Sequence, residues 1–292
     1  MHPSNSTRRA VLAASAALAG CSATGALNAL VPSGTYRLQP GVAYGAHPRH
    51  RLDVYRPLAD TPDTPLVVFF YGGSWSRGER ADYRFVGEAL ASAGAAVVIA
   101  DYRLSPEVGW REILADCAAA VHWAQEHATA LAADPRRVFV MGHSAGAYNA
   151  AMLALDPRWL GTGARGQRSL AGWVGIAGPY DFLPIGDADT QRAFGWPGTP
   201  RDSQPVEHVS AAAPPTLLVA AAKDTVVSTP RSTIGLARRL EAAGVPVRVR
   251  VFDELNHVTA IGAMARPLRS VAPVREEVTG FVRATPAARP RP

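Results

Sequence analysis

The chain has 292 residues, 48% hydrophobic and 8% aromatic, enough for one large α/β domain or two small ones with a real core. Its 30 basic and 24 acidic side chains leave a net charge of +6, almost wholly from arginine, because Lys223 is the only lysine. The arginines are scattered rather than gathered into a stripe, which speaks for a solvated basic surface and against nucleic-acid binding.

Arg8-Arg9 precede an alanine-rich apolar run, Ala10 to Ala19, that ends at Gly20-Cys21. The run is far shorter than the roughly 20 residues that span a bilayer. A charged start, a short apolar stretch and small residues before a cut predict an export signal over residues 1–20. Leu18-Ala19-Gly20-Cys21 resembles the bacterial lipoprotein box, which implies a lipid on Cys21, and Arg8-Arg9 resemble a twin-arginine signal. The expectation is an exported bacterial lipoprotein, membrane-anchored on the periplasmic face. Ser22 after the cysteine, in place of an aspartate, points to the outer membrane. An ordinary secretory signal with an incidental Cys21 is the alternative. With Cys21 lipidated, Cys117 is left alone, and its alanine-rich helical surroundings, Ile113 to Ala128, predict a small buried apolar side chain.

Residues 21–45 read as a tether and first ordered turns, with Pro32, Gly34, Pro40 and Gly41 arguing against a long element. From there, strands are predicted at Leu52–Tyr55, Leu66–Tyr71, Val97–Asp101, Val138–Met141, Trp173–Ala177, Thr216–Ala222 and Val247–Phe252. Helices are predicted at Tyr83–Ala93, Trp110–His127, Ala145–Leu155, Arg231–Ala243 and Ala272–Arg283. Near-continuous apolar strands alternating with helices predict one α/β domain over 46–284: a mostly parallel central sheet with helices on both faces. The proline-rich residues 285–292 are expected to fray.

Ligands of open α/β sheets bind beyond the carboxyl ends of the strands. Tyr71-Gly72-Gly73-Ser74-Trp75, Ser144, Lys223-Asp224 and Asn256-His257 each follow a different predicted strand, so all converge on one rim. Gly142-His143-Ser144-Ala145-Gly146 stands between a strand and a good helix former, the pattern of a sharp turn that exposes a nucleophilic serine at a helix N-terminus. A serine needs a base, and the base an acid that fixes its tautomer. His257 is the candidate base, because His208 lies before the sixth predicted strand, upstream of Asp224. Asp224 is the candidate acid, directly after a strand, with Asp253 the rival. Asp101 and Asp116 read as supports for loops. Oxyanion donors are expected from the backbone of Gly73, Ser74 and Ala145. P-loop, zinc spacing and dinucleotide fingerprint are absent.

These motifs, together with Leu52-Asp53-Val54-Tyr55, Asp101-Tyr102-Arg103-Leu104 and Asp224-Thr225-Val226-Val227, resemble an α/β-hydrolase of the esterase/lipase superfamily. The nearest group is the bacterial carboxylesterases with a His-Gly-Gly-x-Trp loop, grouped with feruloyl esterase-like and formamidase-like enzymes. The resemblance runs from Leu52 to about Phe281 and implies hydrolysis of a small-molecule ester through an acyl-enzyme, with no metal or organic cofactor. One departure stands out: Tyr71 occupies the position usually held by histidine.

Gly178 to Pro205, the longest irregular stretch between strands, is too short for a large lid domain. It carries Tyr180 and Phe182, which with Trp75 are the candidate substrate-binding aromatics; Trp75 could equally be packing alone. The expected function is a serine carboxylesterase for short-chain or aryl esters. An amidase or formamidase using the same residues, or a non-catalytic hydrolase-like surface protein, are the alternatives.

Overall fold

The computed structural model describes residues 23–288 apart from residues 60 and 164. The export signal expected over 1–20 and the lipidation expected at Cys21 lie outside the described residues. Among the described residues, no helix is long and apolar enough to cross a membrane.

The strands are β1 (Arg37–Ala43), β2 (Arg51–Arg56), β3 (Leu66–Phe70), β4 (Ala96–Ala100), β5 (Val138–His143), β6 (Leu170–Ile176), β7 (Thr216–Ala221) and β8 (Val247–Phe252). The helices are α1 (Ala23–Ala29), α2 (Arg84–Ala91), α3 (Trp110–His127), α4 (Ala145–Leu155), α5 (Pro157–Leu160), α6 (Ala188–Phe194), α7 (Gly235–Ala242), α8 (His257–Gly262) and α9 (Val274–Ala284). The strands form one eight-stranded sheet in the order β1-β2-β4-β3-β5-β6-β7-β8, and only β2 runs against its neighbours. This is the α/β-hydrolase fold.

Every residue of β3, β4, β5, β6 and β7 is buried. Successive side chains of a strand point to opposite faces, so complete burial requires cover on both. That is why these segments read as unbroken apolar runs, rich in the β-branched and aromatic residues that fit a pleated surface. Cys117 is fully buried on α3, and burial pushes its thiol far above the ordinary value.

The seven expected strands form, but the reading of residues 21–45 needs a correction. β1 exists despite Pro40 and Gly41. It lies at the sheet edge, where a missing proline N–H breaks no ladder, and its register with β2 shifts between Gln39 and Val42. Gly41 there takes φ +71°, and its N–H donates to the Asp53 carboxylate at 2.8 Å. The irregularity thus keeps its polar backbone satisfied.

Chain order decides where a ligand can lie. From β3 the chain steps to β4, then returns past β3 to place β5 on its other side. The crossovers diverge there, opening a crevice beyond the carboxyl ends of β3 and β5. The segments Gly72-Gly73-Ser74 and Ser144 leave the sheet at that crevice.

Candidate active site

Ser144 caps the N-terminus of α4 at φ +54°, ψ −124°. A side chain in that region is rarely tolerated and is found where surrounding structure over-determines it. The glycines on either side supply the room. A Cβ on Gly142 would lie 2.0 Å from the Gly146 carbonyl oxygen, and one on Gly146 would lie 2.0 Å from the Phe70 carbonyl oxygen at the end of β3. At Gly146, therefore, α4 and β3 come too close for a side chain. Gly146→Ala is expected to cost at least about 3 kcal/mol, the upper end of overpacking, since a backbone oxygen cannot step aside. Chemical denaturation should record a lower midpoint at unchanged slope. A variant as stable as its parent would contradict this packing.

His257 opens α8, whose N-cap Asn256 accepts the N–H groups of Val258 and Thr259 at 3.1 and 2.9 Å. That cap holds the ring's backbone just beyond β8. His257 Nε2 lies 2.8 Å from Ser144 Oγ, and Nδ1 lies 2.8 Å from Asp224 Oδ2. A carboxylate can only accept, so Nδ1 carries the proton and Nε2 is free to accept from the serine hydroxyl. The second Asp224 oxygen accepts the N–H groups of Val226 and Val227, both at 2.8 Å. Burial raises the Asp224 carboxyl, but the bond from His257 and those two backbone donors outweigh it and hold the group below the usual carboxylate range. Asp224 is thus ionised and aimed. Asp253, the rival, is exposed, and His208 bonds the Asp202 carbonyl at 2.7 Å.

The Gly72-Gly73-Ser74 loop comes close to the serine. A Cβ on Gly72 would sit 2.8 Å from that of Ser144. Gly73, Ser74 and Trp75 all take positive φ, at 132°, 50° and 57°. The Gly73 carbonyl accepts the N–H groups of Ser76 and Arg77 at 3.0 and 3.1 Å, which turns it inward to the loop. No acceptor among the described residues takes the amides of Gly73, Ser74 or Ala145. Donors left free at a helix N-terminus and a tight loop are suited to an oxyanion.

Tyr71 secures this loop from beneath. It is fully buried and stacked on Tyr102, with ring centroids 4.8 Å apart. Its hydroxyl donates to Asp101 at 2.9 Å and accepts from Arg49 at 2.8 Å, while the Tyr102 hydroxyl donates to the Tyr71 carbonyl at 2.7 Å. Asp101 also takes the Arg80 amide at 2.7 Å and pairs with the Arg80 side chain. Asp116 accepts the Arg103 amide at 2.9 Å. Both aspartates therefore support loops.

A cavity of about 690 Å³ opens beside Ser144, lined by Trp75, Phe182, Thr225, Val226 and Val227 among others. Trp75 both packs and lines. It is nearly buried, donates from Nε1 to Asn149 at 3.0 Å, and meets Tyr148 and Phe194 edge-on at 5.2 and 4.8 Å. Tyr180, expected to bind substrate, does not line this cavity. It is fully buried against Trp173 and packs over Gly178, away from the cavity. α6 and its N-cap Asp187 contribute Asp187, Asp189 and Thr190 to the lining, and Asp189 pairs with Arg77 at 3.2 Å. The sequence reading missed this short helix, although Asp187 accepting the Thr190 N–H is a recognisable N-cap. Among the described residues, no three His, Cys, Asp or Glu side chains gather in a way that could hold a metal ion.

Comparison with known proteins agrees with this architecture. The chain is 25% identical over 239 residues to a probable isoprenylcysteine alpha-carbonyl methylesterase of Arabidopsis thaliana, covering 74% of this chain and 50% of that protein. It is 29% identical over 205 residues to the esterase LipC of Mycobacterium tuberculosis, covering 64% and 51%. The chain thus spans about half the length of these curated relatives. The inhibited esterase B of Lactobacillus rhamnosis superposes with a TM-score of 0.75 at 20% identity, over 96% of each chain, so the two share a fold. The profile of the BD-FAE family matches residues 52–240, and the chain belongs to that family.

Proposed function

We propose that this protein is a serine carboxylesterase that hydrolyses short-chain or aryl esters through an acyl-enzyme. The observation that carries the reading is the unbroken chain of hydrogen bonds from Asp224 through His257 to Ser144, opening into a cavity. Ser144 Oγ attacks the ester carbonyl as His257 Nε2 takes its proton, and Asp224 stabilises the imidazolium that forms. The carbonyl oxygen, now charged, falls among the Gly73, Ser74 and Ala145 amides. His257 then protonates the departing alkoxide. Water repeats the sequence on the acyl-enzyme and releases the acid. The esterase names borne by two relatives support this chemistry.

The aromatic wall of Trp75 and Phe182, backed by the buried Phe194, supports a compact acyl or aryl group. α6, at seven residues, is too short to act as a lid over a long chain. The test uses p-nitrophenyl esters and a fluorophosphonate. kcat/KM for acetyl and butyryl esters should exceed that for octanoyl by about tenfold or more. The fluorophosphonate should attach to Ser144. Faster octanoyl turnover removes the short-chain assignment, and an unlabelled Ser144 removes the serine mechanism.

A further inference from the structure

His143, the last residue of β5, stands directly before Ser144 and is almost completely buried. Its Nε2 lies 3.0 Å from the backbone carbonyl oxygen of His257. A carbonyl only accepts, so Nε2 carries the proton and Nδ1 is an acceptor. That Nδ1 is buried and has no partner among the described residues. The two imidazoles also touch, with centroids 5.2 Å apart and planes tilted by 44°. Burial, with the His257 ring beside it, lowers His143 to about 3, so the ring stays neutral. It thus adds no positive charge beside the imidazolium that His257 must become.

His257 is otherwise held by its ring bonds to Asp224 and Ser144 and by α8, whose Ala260 and Ile261 pack into the core. The loop from Asp253 to Asn256 is attached to the sheet edge by the Lys223 amide, which donates to the Leu255 carbonyl at 3.1 Å. The bond from His143 is different in kind. It runs from the strand that carries the nucleophile to the backbone of the base, 114 residues along the chain. The His257 carbonyl opens α8, so losing the His143 bond leaves it its helical partner but removes its tie to β5, and a drift of the loop would change the Nε2-to-Oγ distance itself.

Resting on the esterase reading above, we propose that His143 is a positioning residue, whose Nε2–H bond to the His257 carbonyl sets the base against Ser144. Three substitutions test it. His143→Phe keeps a ring but removes the donor; His143→Gln restores a donor at the same reach; His143→Asn carries a donor too short to arrive. An error of about 1 Å at a reacting pair costs about 10²-fold in rate. His143→Phe and His143→Asn should therefore lose about 10- to 10²-fold in kcat with KM unchanged, while His143→Gln recovers most of it. The rate of fluorophosphonate attachment to Ser144 should follow kcat. Thermal melting identifies folded variants, and His143→Asn serves where His143→Phe does not fold. Folded His143→Asn with parental kcat overturns the proposal, as does His143→Gln no better than His143→Asn. A parent that neither turns over esters nor takes the label overturns the esterase reading, and this proposal with it.

Discussion

Ser144→Ala is expected to lower kcat by about 10⁶-fold while the protein stays folded. The substitution removes only the oxygen proposed to attack. Alanine carries the same Cβ at φ +54° that serine does, so the turn is no more strained than before. One hydrogen bond, to His257 Nε2, disappears, and its loss costs about 1 kcal/mol of stability at most. What remains is the loop, the free amides and the cavity, which alone give a residual rate well below that of the parent. Steady-state kinetics on p-nitrophenyl butyrate, with a melting curve beside it, check both halves of the expectation. Parental turnover by clean Ser144→Ala protein would falsify the nucleophile assignment.

Asp224→Asn should cost about 10⁴-fold in kcat, again without unfolding. An amide oriented so that its oxygen faces Val226 and Val227 keeps both backbone bonds at that end. Its NH₂ then faces His257 Nδ1 and donates to it. The ring must answer by moving its proton to Nε2, where a donor now meets the Ser144 hydroxyl instead of an acceptor. The geometry survives and the tautomer is wrong. KM should change little, because the carboxylate lies behind the base rather than in the cavity. A loss of less than tenfold would move the acid role elsewhere, and Asp253→Asn in parallel would locate it.

Much of this site could be read before any coordinates because its demands are local. A serine at positive φ between a strand and a helix needs glycine at Gly142 and Gly146, where a Cβ would overlap backbone oxygens. Both glycines fall within five residues, so they leave a mark at fixed spacing, although the Gly146 requirement comes from β3. The buried strands are legible for a similar reason: burial on both faces demands apolar side chains at every position. β1 escaped because an edge strand tolerates the very residues that end strands elsewhere. α6 escaped because its seven residues give too little periodicity to recognise.

Residue types and their order therefore singled out Ser144, His257 and the parallel sheet, since steric rules at single positions and alternation along single segments are written into neighbouring residues. Which carboxylate faces His257, that Tyr180 packs against Trp173 while Phe182 lines the cavity, and that His143 holds the carbonyl of a residue 114 positions away were decided only when the strands assembled. Those contacts join segments that share no local pattern. Their distances follow from how the sheet stacks β5, β6, β7 and β8 side by side, which no run of adjacent residues encodes.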